Sequence, residues 1–135
     1  IDAQKALLTK AETDTFETAP VMYHALSAAA LLERDHGIDD PDILDAIRYH
    51  VFGRPGMDTV EKIVFVSDMC EPNRTFIDTA ALMELARRDL DRAVLRTMEI
   101  IMEYLDKEGK TPHPLQVAAL NHYKEVCREQ TRQSD

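Results

Sequence analysis

Apolar residues recur along this chain three and four positions apart, the spacing of amphipathic helices. No stretch alternates apolar and polar residues strictly enough to predict a strand. DAQKALLTKA (2–11) predicts a first helix. Thr18 as a cap and Pro20 in the first turn predict a second, running through VMYHALSAAALLERDH to Gly37. Asp40 and Pro41 start a third, PDILDAIRYHVF, which Gly53 and Pro55 end. Asp58 or Thr59 starts a fourth, TVEKIVFVSDMCE, stopped by Pro72, and Asp78 caps a short fifth, TAALMELARR. The longest helix begins near Asp89 and ends at Gly109, and a last one, LQVAALNHYKEVCREQ, follows Pro114. The polar residues 131–135 predict a flexible, fraying tail. There is no repeat, linker or low-complexity tract. Residues 1–135 therefore read as a single all-α domain, a compact irregular helical bundle.

Three polar residues interrupt the apolar faces. Ile43, Ala46, Ile47 and His50 share one face of the third helix. Val60, Val64 and Asp68 recur every fourth residue on the fourth, with Glu71 a turn further, and His24, Ala28 and Leu31 align on the second. Ala25, Ser27, Ala29 and Ala30 permit close approach of a neighbouring helix. A lone carboxylate facing inward costs several kcal/mol unless it is paired or metal-bound. Imidazole and carboxylate together suit Zn, Fe or Mn. A single histidine on an apolar face is more often a hydrogen-bonded core residue, and Asp68 can pair with Arg74. Three such residues on three consecutive helices weaken that reading. Neither HExxH nor paired CxxC is present, so spacing alone does not assign a metal. His36, His113 and His122 read as ordinary histidines, and Cys70 as a small filler without a neighbouring base.

Acidic residues outnumber basic ones, 25 to 16, for a net charge of −9. That argues against nucleic acid or an anionic membrane surface as partner, and a polyanionic substrate would need local Arg or metal. Two cysteines make no disulfide framework and suit a reduced, cytoplasmic compartment. No apolar run reaches the roughly 18 residues of a membrane span.

The order His24, then AIRYHVFG (46–53), then EKIVFVSDMCEPNR (61–74) resembles the YqeK branch of the HD-domain metal-dependent phosphohydrolases. The resemblance runs from the first helix to HPLQVAALNHY (113–123), and Met57 belongs to it. It implies an all-α fold, a divalent metal centre that is commonly binuclear iron, with Mn or Zn as alternatives, and symmetrical hydrolysis of diadenosine tetraphosphate to two ADP. By position it implies His24, His50 and Asp68 as metal ligands and Asp68 as the catalytic residue. Arg74, Lys62 and Glu71 match the motif's other polar positions, on the substrate side. Arg74 suits a phosphate oxygen through its planar fork; a structural pair with Glu71 is the other reading. Lys62 lies off the Val60/Val64/Asp68 stripe and reads as a rim lysine or an ordinary surface one. The implied partner is a nucleotide polyphosphate, without nucleic acid or membrane, and a homodimer is left open.

The family signature also has an upstream histidine and an adjacent His-Asp pair, and no His-Asp dipeptide occurs here. Ile1 falls just past the family's His-Asp-x-x-Lys segment, so an N-terminal portion of roughly one to three helices is expected outside this sequence. Val51 and Phe52 replace small or hydroxyl residues, Ala25 a glycine and Ser67 an alanine, which bears on substrate preference. Two other functions stay open: a catalytically silent or incomplete binding module, and a hydrolase of another phosphorylated nucleotide.

Overall fold

The computed structural model describes residues 1–71, 73–74 and 77–134, and among them every regular element is a helix. The stretch 2–11 is not one helix: α1 spans Asp2–Lys5 and α2 spans Lys10–Thr15. Thr9 separates them. Its hydroxyl accepts from the Glu12 N–H at 3.1 Å, and the Glu12 carboxylate accepts from the Thr9 N–H at 2.9 Å. This reciprocal cap starts a new helix. α3 (Val21–His36) ends on Gly37 in the left-handed conformation, as expected. It begins on Pro20 with no side-chain cap, so Thr18 does not cap it.

α4 (Pro41–Arg48) starts from Asp40 and Pro41 but stops short of the expected Phe52. Tertiary packing ends it. Phe52 turns aside to pack against both Phe16 and His113, with ring centroids 6.3 and 5.6 Å away, and the Gly53 N–H closes the turn on the Tyr49 carbonyl at 2.7 Å. α5 (Thr59–Met69), α6 (Thr79–Arg88) and α7 (Leu90–Lys107) begin on the side-chain caps Asp58, Asp78 and Asp89. Pro72, the expected stop of α5, lies outside the described residues. α8 (Pro114–Ser134) stays helical past Thr131, where the tail was expected to leave it. The Thr131 hydroxyl donates to the Cys127 carbonyl and accepts from Arg92. Asp135 lies outside the described residues.

Two buried clusters result. The larger joins Phe65, Val66 and Met69 of α5, Leu82 of α6, Val94 and Met98 of α7, and Ala119 and Tyr123 of α8. The smaller joins Phe16, Met22, Tyr23, Leu26 and Phe52. His113 ties this second cluster to the start of α8: one ring nitrogen lies 3.0 Å from the Thr15 carbonyl, and the other accepts from the Leu115 N–H at 3.0 Å. Among the described residues no helix is long and apolar enough to cross a membrane.

Candidate metal and phosphate site

The turn between α4 and α5 is tied to both helices and to α8 by side-chain hydrogen bonds. Glu61, in the first turn of α5, is 1% exposed. Its carboxylate accepts from the Asp58 N–H at 3.0 Å and from the Arg54 guanidinium at 2.5 Å. The same guanidinium reaches Asp45 on α4 at 3.2 Å and lies 4.4 Å from the Tyr49 ring centroid. A buried carboxylate is tolerated only when paired and hydrogen-bonded, and Glu61 is both. At the far side of the turn the Tyr123 hydroxyl accepts from the Met57 N–H at 2.9 Å. Burial pushes this hydroxyl's pKa up to about 12, with the Asp91 and Glu61 charges adding to the effect. Gly53 (φ 70°) allows close packing here, since a Cβ would sit 2.9 Å from the Met98 methyl.

His50 lies in this turn, half-buried, and not on a regular helix. Its Nδ1 is 2.6 Å from the Ile47 carbonyl. A carbonyl only accepts, so Nδ1 carries the proton, and in the neutral ring the Nε2 lone pair is left available. This is the orientation that a backbone acceptor gives a metal-binding imidazole. His24 and Asp68, expected to face inward, are exposed. The reason lies in the helices that carry them. α5 is apolar on two neighbouring stripes, and the core takes Phe65, Val66 and Met69, leaving Val60, Ile63 and Asp68 outside. On α3 the core takes Met22, Tyr23, Leu26 and Ala29, leaving Val21, His24 and Leu31 outside.

Asp68 is met by Arg74, whose Nε donates to the Asp68 carbonyl at 3.1 Å and whose Nη2 lies 3.6 Å from the carboxylate. Glu71 is exposed, and its carbonyl accepts from the Arg74 N–H at 3.0 Å. Lys62 is not at a rim. Its ammonium sits 2.7 Å from Asp91 of α7 in a largely buried pair, which would have to open before Lys62 met a phosphate. Burial raises the pKa of both thiols, Cys70 and Cys127, in keeping with Cys70 as a filler.

The donor chemistry of His24, His50 and Asp68 suits a borderline divalent ion. Their geometry does not close: among the described residues no three His, Cys, Asp or Glu side chains gather as a metal site. These residues alone do not make a metal centre. Arg54, Glu61 and Asp45 escaped the sequence reading. An arginine in a Gly-Arg-Pro-Gly turn just before an Asp-x-x-Glu cap was the available signal.

No protein-family model matches the chain. It is 42% identical over 95 residues to the symmetrical bis(5'-nucleosyl)-tetraphosphatase of Bacillus subtilis, covering 70% of this chain and 51% of that protein. A protein of the same name from Staphylococcus aureus is 31% identical over 102 residues, covering 74% of this chain and 53% of its own length. The crystal structure of a predicted HD superfamily hydrolase involved in NAD metabolism from Clostridium acetobutylicum superposes with a TM-score of 0.72 at 33% identity, covering 76% of this chain and 55% of that one. The chain spans about half the length of the curated relatives it matches. Sequence and fold agree: over the residues it spans, this chain is similar to these symmetrical bis(5'-nucleosyl)-tetraphosphatases and to an HD superfamily hydrolase.

Proposed function

We propose that the protein carrying this chain hydrolyses nucleotide polyphosphates, and that its reaction is the addition of water to diadenosine tetraphosphate to give two ADP. The names of the relatives support this substrate class. The observation in this chain that carries the reading is His50, held by Nδ1 on the Ile47 carbonyl so that Nε2 can serve as a ligand. His24, His50 and Asp68 are assigned as ligands of a divalent metal, with binuclear iron expected and Mn or Zn as alternatives. Asp68 is also the catalytic residue. The remaining ligands are assigned to the part of the family fold that this chain does not span. Apolar residues left outside on the helices that carry His24 and Asp68, among them Val21 (54% exposed) and Val60 (44% exposed), support a covering segment on these helices. Arg74, Glu71 and Lys62 are assigned to the substrate side, Arg74 to the phosphates, with Lys62 first having to leave Asp91. The expected setting is cytoplasmic, and a homodimer is the assembly to test.

The experiment is ADP release, with bound metal measured in parallel, on the full-length natural protein. Asp68→Ala should abolish ADP release. Arg74→Ala should lower it by roughly one to two decades, the loss of one charged hydrogen bond. Full activity in Asp68→Ala would refute the assignment. Metal loss in Arg74→Ala, with activity falling in parallel, would make Arg74 structural.

A further inference from the structure

We infer that Arg54 is a positioning residue, whose guanidinium fixes the turn carrying His50 against the helix carrying Asp68. The inference rests on the functional reading above, but its evidence is separate. One planar group ties two elements through three residues: Asp45 on α4 at 3.2 Å, the Tyr49 ring at the end of α4 at 4.4 Å, and Glu61 in the first turn of α5 at 2.5 Å. Its Nε adds a longer contact to the second Glu61 oxygen at 3.4 Å. His50 follows Tyr49 directly, and Asp68 lies about two helical turns beyond Glu61 on the same rigid helix. The bridge therefore sets the separation of the two candidate ligands while touching neither.

Charge balance alone does not require this arrangement. A lysine would neutralise Glu61, and an apolar pair could replace both at little cost in stability. Nη2 alone meets both Asp45 and Glu61, but a lysine has no second nitrogen for the other Glu61 oxygen, which Nε reaches at 3.4 Å, and no guanidinium to set over the Tyr49 ring. Positioning and simple charge balance thus predict different behaviour for variants that keep the fold.

The test uses the full-length protein with Arg54→Lys, and with Arg54→Met combined with Glu61→Gln, which leaves no unpaired buried charge. Thermal midpoint, kcat and KM for diadenosine tetraphosphate, and the 15N shifts of the His50 ring are measured on each. The expected result is a near-parental midpoint with kcat down on the order of 10- to 100-fold, KM unchanged and the His50 shifts moved. Parental kcat with parental His50 shifts in a folded variant would overturn the inference, leaving Arg54 as the counter-charge of Glu61. If the parent releases no ADP, the hydrolase reading fails by itself, and the His50 shifts still decide for or against Arg54. If both variants unfold, Asp45→Ala cuts the α4 arm and leaves the Glu61 pair intact. Moved His50 shifts would then uphold the bridge, and unmoved ones would overturn it.

Discussion

At the scale of single residues, Glu61 and Tyr123 bear the clearest consequences. Arg54→Ala should destabilise the fold by about 3 kcal/mol in urea unfolding, because it strands a buried carboxylate. Tyr123 makes stability depend on pH at the alkaline end. Its folded pKa of about 12 lies above the unfolded value near 10. The unfolded chain therefore releases its proton first. Stability is complete below about pH 10 and falls as the pH rises toward 12, by roughly 2–3 kcal/mol in total. Tyr123→Phe should abolish that slope in denaturant titrations across this range. It should also cost about 1–3 kcal/mol at neutral pH, from the unpaired Met57 N–H. The sequence alone does not show that either residue is buried. Asp-x-x-Glu looks like a surface cap, and only Arg54, brought in by the turn, reveals Glu61 as buried. Asp68 misled in the opposite direction, being on an apolar stripe that the core does not use.

At the scale of elements, caps and tertiary ties decide where helices begin and end. Thr9→Ala removes one half of the reciprocal cap of α2 and should cost about 1 kcal/mol, seen as a lower midpoint in chemical unfolding. His113→Ala should cost more, about 2–3 kcal/mol, since it loses hydrogen bonds at both ring nitrogens and the ring contacts with Phe16 and Phe52. A midpoint equal to the parent's would show that α2 and α8 are not joined through this ring. α5, α6 and α7 were legible because Asp58, Asp78 and Asp89 cap them locally. The early end of α4 was not legible, because Phe52 leaves the helix for partners distant in sequence. That difference moved His50 from a helix face into a turn, and with it the geometry of the candidate site.

At the scale of the molecule, the all-α class followed from periodicity alone, and the likeness to the tetraphosphatases from motifs that lie in order along the chain. Closure of the candidate site was beyond reach, since it depends on how three helices expose one stripe and bury another. With a pI near 5.0, solubility in low salt should pass through a minimum close to pH 5, checked by turbidity against pH. The two separate buried clusters carry a consequence for how the chain opens. Tyr123 and Phe65 sit at the centre of the larger one, while the smaller is built largely from the N-terminal helices and one aromatic from the turn. Amide hydrogen exchange should therefore fall into two cooperative units. The amides of α3 should exchange through a partial opening that leaves α5, α7 and α8 protected, and only the latter should report global unfolding.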